Sequence, residues 1–169
     1  MKIEFGNHQF TACPTGALFW DEQNMLIVSD LHLEKGSSFA RRDSFLPPYD
    51  TKATLEKLAK AIGVFQPQSI LFLGDTFHDT SSLQRMNEAD KQALSEIING
   101  FEIFWIEGNH DESHRPEKVE GHDTLAIGDI VFNHIADPEN TNPEISGHYH
   151  PAVKFTNKGQ KVRRPCFVI

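Results

Sequence analysis

The sequence predicts an α/β protein, a mixed sheet or sandwich with helices outside. Three observations lead there. Short apolar runs at Met25–Ser29, Ser69–Leu73 and Phe101–Ile106 are too brief for helices and read as buried strands. Helix-period stripes separate them: Leu55, Leu58, Ala59 and Ile62 between the first and second, then Leu94, Ile97 and Ile98 between the second and third. Beyond residue 110 the helical signal fades, and Gly128-Asp129 between two apolar runs marks a hairpin.

In chain order, Lys2–Phe5, Gln9–Ala12 and Ala17–Trp20 read as short strands, parted by turn signals at Gly6-Asn7 and Pro14-Thr15-Gly16. Met25–Ser29 ends in S-D-L-H, and a loop with Arg41, Arg42, Pro47 and Pro48 follows. Asp50 or Thr51 is expected to cap the first long helix. Ser69–Leu73 ends in G-D. The next helix is expected to start at Asn87 and stop at Gly100. Phe101–Ile106 ends in E-G-N-H-D. Two hairpins complete the pattern: Thr124–Ile127 with Ile130–Asn133, and Ala152–Thr156 with Lys161–Ile169 around Asn157-Lys158-Gly159.

With 169 residues, 38% hydrophobic and 24% charged, the chain is expected to form one domain over 1–169 with its own core. The net charge of −8 argues against general electrostatic attraction to nucleic acid or acidic membranes, although bound divalent cations would offset it locally. Two cysteines, Cys13 and Cys166, make no disulfide framework. No secretory leader or membrane span is read, so the cytoplasm is the expected location.

The polar residues at the predicted strand ends form a second pattern. Asp30, Asp75 and Asn109 each close a buried strand, where open α/β sheets build their sites. His32 and His110 lie beside them, His134 follows a later strand, and His148 and His150 occur two apart in I-S-G-H-Y-H-P. In a strand, positions i and i+2 face the same way. The set holds carboxylates, imidazoles and one amide but no thiolate, which suits Mn²⁺, Fe²⁺, Zn²⁺ or Co²⁺. Asp30, His32, Asp75, Asn109, His134, His148 and His150 exceed what one tetrahedral zinc takes, and they suit two ions sharing a carboxylate.

In that order, D-x-H, G-D, G-N-H-D, a lone histidine and G-H-x-H resemble the calcineurin-like metallophosphoesterase superfamily, over Asp30 to His150. The runs A-L-F-W, L-I-V-S-D-L-H-L-E-K, S-F-A-R-R, G-D-T-F-H, G-H-Y-H-P-A-V and R-R-P-C-F look like its bacterial ligase-associated DNA-damage-response branch. Members of that branch are regarded as endonucleases because their genes accompany an ATP-dependent DNA ligase and a helicase.

The resemblance implies two packed mixed β-sheets flanked by helices. It implies two divalent metals, manganese foremost with iron, zinc or cobalt as alternatives. Asp30, His32 and His150 would hold one ion, Asn109, His134 and His148 the other, and Asp75 would bridge. Such ions, about 3.5–4 Å apart, generate a hydroxide and clamp a phosphoryl group. His110 would stabilise the phosphoryl oxygens or protonate the leaving oxygen, a task suited to an imidazole. Asp111 would orient His110, with a helix or turn cap as its other reading.

Lys35, Arg41 and Arg42 fall in the loop after the first motif, where they contact substrate phosphates or simply face solvent. His78 and Asp79 are candidates to support the ligands. His8, His114 and His122 read as surface histidines. The run Lys158, Lys161, Arg163 and Arg164 could touch nucleic acid, but exposed hairpins often carry such charges.

The implied activity is phosphodiester hydrolysis, with DNA as substrate and the ligase and helicase as partners. The alternatives are a small-molecule phosphomonoesterase or nucleotide pyrophosphatase, and a scaffold of the same fold. G-D-T-F-H-D-T lacks the arginine of the protein phosphatases' G-D-x-x-D-R-G, which disfavours that activity. Two departures from the branch stand out. Glu34 replaces its usual glycine, and the chain stops at Ile169, inside an apolar run where branch members continue into further strands.

Overall fold

The computed structural model describes residues 1–40, 49–111, 115, 116 and 118–169. Strands β1 (Lys2–Phe5), β2 (His8–Ala12), β3 (Leu18–Trp20) and β4 (Met25–Val28) form an antiparallel meander. Parallel strands β5 (Ser69–Leu73), β6 (Glu102–Ile106) and β7 (Gly121–His122) extend it from β4 into one seven-stranded sheet. Every residue of β4 and β5 is buried, as expected of unbroken apolar runs covered on both faces.

One face of this sheet is covered by helices α2 (Asp50–Phe65) and α4 (Glu88–Gly100), whose Leu55, Leu58, Ala61 and Leu94 pack with Leu26, Ile70, Phe72 and Trp105. The other face packs on a three-stranded sheet of β8 (Thr124–Ile127), β9 (Ile130–Asn133) and β10 (Glu144–Ser146). There Phe10, Trp20, Leu71, Leu73 and Ile106 meet Ile130 and Phe132. The result is two packed sheets with helices outside the larger one, as expected. A separate antiparallel ribbon, β11 (Ala152–Asn157) and β12 (Gln160–Pro165), follows.

The differences from the sequence reading have physical causes. Lys35 lies not in a loop but at the start of α1 (Lys35–Ala40), and Arg41 and Arg42 lie outside the described residues. Neither Asp50 nor Thr51 caps α2; Tyr49 occupies that position without a side-chain bond. The two side chains tie α1 down instead. Asp50 Oδ2 accepts from the Gly36 N–H at 2.7 Å, while Thr51 Oγ1 accepts from the Glu34 N–H at 2.8 Å and donates to Glu34 Oε1 at 2.9 Å.

The apolar stripe of α2 is rotated slightly, burying Ala61 and exposing Ala59. The last strand ends at Pro165, which has no N–H to extend a ladder. The short α3 (Ser82–Arg85), β7 and β10 carry too few residues to show a period.

Candidate metal centre

The parallel strands β4, β5 and β6 deliver their C-terminal ends to one edge of the large sheet, and β9 and β10, parallel to each other, bring theirs alongside. All seven predicted ligands lie in these five exits. The loops are stitched by backbone bonds: Asp30 N–H to Gly74 O (3.1 Å), His32 N–H to Asp75 O (3.0 Å), Leu33 N–H to Thr76 O (2.9 Å) and Gly147 N–H to His134 O (3.0 Å).

Two clusters of donor atoms result, Asp30–His32–His150 and Asp75–His134–His148, each with ligand atoms within 4.8 Å of one another. In the first, His150 Nε2 lies 3.4 Å from Asp30 Oδ1 and 3.2 Å from His32 Nε2. In the second, His134 Nε2 lies 3.3 Å from Asp75 Oδ2, 3.3 Å from His148 Nδ1 and 3.2 Å from Asn109 Oδ1. Asp75 Oδ2 is also 3.9 Å from His32 Nε2, so this one oxygen faces both clusters.

The chemistry of the set fits two divalent cations. Nitrogen lone pairs and carboxylate oxygens converge, and an ion between them would relieve the crowding of acceptors. His134 Nδ1–H donates to Leu73 O at 3.0 Å, which leaves Nε2 as the free lone pair aimed inward.

Five of the seven, Asp30, His32, Asp75, His148 and His150, hold left-handed backbone with φ of 54°, 43°, 50°, 68° and 45°. Such conformations cost about 1 kcal/mol or more each in non-glycine residues and persist where the surroundings impose them. Close approach explains two motif glycines. A Cβ on Gly108 would collide with the Asp75 backbone and carboxylate, and one on Gly147 with the Ser29 hydroxyl beside Asp30.

Burial pulls the His32 imidazole down to about 4 against the nearby Asp75 charge, keeping it neutral and able to ligate. At His134 burial also opposes protonation, but the Asp75 hydrogen bond and charge and the Leu73 carbonyl outweigh it and raise its pKa. Asp75 is lowered: its hydrogen bonds from His134 and the His110 N–H prevail over burial.

His110 belongs to neither cluster. Its backbone N–H bonds Asp75 Oδ1 at 3.0 Å, and its ring stacks on His78 (centroids 5.8 Å, 13°) and meets the His32 ring edge-on at 5.5 Å. His78 is thus the main site residue that the ligand motifs did not single out. Its signal was position, three residues after Asp75 in a loop whose His78 N–H returns to Leu33 O at 3.0 Å. Burial first, then the charge of Lys35, lowers the His78 pKa. Asp79 pairs bidentately with Arg85 at 2.8 and 3.0 Å. His8 pairs with Asp129 far from the centre.

Asp111 is fully buried, and burial raises its pKa despite three hydrogen bonds that favour the charge. It accepts from the N–H groups of Thr76 (3.1 Å), Phe77 (2.9 Å) and Gly108 (3.2 Å). No hydrogen bond among the described residues joins it to the His110 ring. Asp111 thus ties the turn that carries it to the loop that follows Asp75. Asp111→Ala removes the carboxylate that accepts from three buried N–H groups. It is expected to lower stability by about 3 kcal/mol, a drop in Tm of roughly 6–12 °C by calorimetry.

The centre opens on a shallow hollow of about 280 Å³ lined in part by Glu107, Asn109, Asp123 and His134. The larger hollow, about 710 Å³, is apolar and lies between α2 and α4, away from the ligands.

A sequence profile of calcineurin-like phosphoesterases matches residues 24–161. The crystal structure of Pseudomonas putida nuclease MPE is similar, with a TM-score of 0.82 and 25% identity, covering 100% of this chain and 81% of that one. No match was found among curated protein sequences. No helix among the described residues is long and apolar enough to cross a membrane.

Proposed function

The chain belongs to the calcineurin-like phosphoesterase family, and from that premise we propose that it is a two-metal phosphodiesterase with nuclease activity. One observation carries the reading: a single carboxylate oxygen, Asp75 Oδ2, faces both a three-donor cluster holding His134 and another holding His32, at 3.3 and 3.9 Å. The structural likeness to a nuclease supports the choice of diester over monoester.

In this reading Asp30, His32 and His150 would hold one ion, Asn109, His134 and His148 would hold the other, and Asp75 would serve both. Manganese suits the mixed carboxylate and imidazole set. When bound, the two ions supply Lewis acidity and lower the pKa of the attacking water. His134 must surrender any proton on Nε2 for its ion to bind, and Leu73 O holds the other ring proton so that the lone pair points inward.

His110, fixed by its backbone bond to Asp75 and by the His78 stack, supports the phosphoryl oxygens and gives a ring proton to the leaving oxygen as its bond to phosphorus breaks. Lys35, at the exposed start of α1, meets a substrate phosphate.

The test is metal analysis and a substrate panel on one preparation. Bound manganese and faster hydrolysis of bis-p-nitrophenyl phosphate than of p-nitrophenyl phosphate are expected. A monoester preference would point to a phosphomonoesterase. A protein that holds no divalent metal and hydrolyses neither ester would be a scaffold.

A further inference from the structure

The last stretch of the chain differs electrically from the rest. All 24 acidic residues precede position 145, whereas five of the 16 basic ones, Lys154, Lys158, Lys161, Arg163 and Arg164, follow it. Within a sequence of net charge −8, residues 145–169 thus form an acid-free cationic stretch.

Register sorts the ribbon into two faces. Lys154 opposes Arg163, and Thr156 opposes Lys161, so Lys154, Lys161 and Arg163 share one side. Val153, Phe155, Val162 and Arg164 share the other. The three cations are exposed, and the ion pairs among the described residues engage bases elsewhere: Lys2, Lys52, Arg85, Lys91 and Arg115.

The ribbon is rooted at the metal centre. β11 begins two residues after His150, and the Cys166 N–H bonds Pro151 O at 3.0 Å, closing its base. Between the two histidines stands Tyr149, 58% exposed, its ring edge-on to His148 with centroids 5.4 Å apart.

We propose that Tyr149 and the Lys154–Lys161–Arg163 face form a track for a single-stranded polynucleotide running off the catalytic centre. The proposal rests on the phosphodiesterase reading for the bond that is cut, and adds where the neighbouring nucleotides lie. A small phosphate ester ends at the metals and gains nothing from cations farther along. Only a substrate with phosphates in series does, by releasing counterions at each contact. An exposed aromatic ring beside the centre offers a face on which an unpaired base stacks, while duplex bases are stacked within the helix.

The experiment is fluorescence anisotropy of the full chain with fluorescein-labelled single-stranded DNA and RNA of about 20 nucleotides, without added divalent ion. In Lys154→Glu/Lys161→Glu/Arg163→Glu the dissociation constant is expected to rise at least about tenfold. The slope of log affinity against log salt should become shallower by about 2. Tyr149→Leu should weaken binding severalfold with the salt slope unchanged.

Lys57→Glu/Lys60→Glu, on the exposed side of α2, is the charge control and should change affinity less than twofold. Wild-type binding by the ribbon variant, or an equal loss in the control, overturns the track. So does tighter binding to phosphatidylserine vesicles than to either oligonucleotide with the same dependence on the three cations. Failure to hydrolyse bis-p-nitrophenyl phosphate with manganese would sink the reading of the centre without changing these affinities, so the two failures are distinguishable.

Discussion

Asp75→Asn is expected to lower manganese-dependent phosphodiester hydrolysis by roughly 10³-fold while the protein stays folded. The substitution isolates charge from shape. Asparagine tolerates the left-handed backbone that Asp75 adopts at φ 50°, and its amide oxygen still accepts the His110 N–H. What is lost is the buried anionic oxygen facing both His134 and His32.

The metal-to-protein ratio, measured by mass spectrometry after dialysis, should fall from about two to one or less. The pH dependence should move as well. In the native protein the Asp75 interaction outweighs burial and raises the His134 pKa, so a proton competes for Nε2 as the pH falls and metal affinity declines. Asparagine removes that support, and the acid-side decline in affinity should shift to lower pH. Full metal content with more than a tenth of native activity would show that Asp75 does not bridge.

Why so much of the centre could be read from the sequence, and some of it not, follows from the range of the forces involved. Met25, Leu26, Ile27 and Val28 form a strand because four successive apolar side chains are buried on both faces of a sheet, and such a run is legible locally. The strand then ends at its first polar residues, so the ligand-bearing Asp30 and His32 announce themselves by following it.

Other features depend on contacts between distant segments. Nothing near Asp50 shows that its carboxylate serves Gly36 rather than its own helix, and nothing near Glu34 shows that an acid there is buried at 6% exposure between Ser37 and Thr51. The left-handed φ of five predicted ligands is likewise invisible, since none is a glycine and their loops are held by bonds to segments 43 to 118 residues away. His78 shows the same limit. Its ring matters because it stacks on His110, 32 positions later.

His110→Ala should reduce hydrolysis by roughly 10²–10⁴-fold with metal content unchanged. The separation is built into the geometry: the ring lies outside both donor clusters, and the bond that supports Asp75 comes from the His110 backbone, which alanine keeps. The size of the loss should depend on the leaving group. p-Nitrophenolate departs without a proton, whereas a nucleoside alkoxide needs one. If His110 donates that proton, its removal must harm an oligonucleotide far more than bis-p-nitrophenyl phosphate. An equal loss on both substrates would confine the ring to steadying the phosphoryl oxygens. Native rates on both would remove His110 from the chemistry and make its neighbour His78, whose ring stacks on it at 5.8 Å, the next imidazole among the described residues to test.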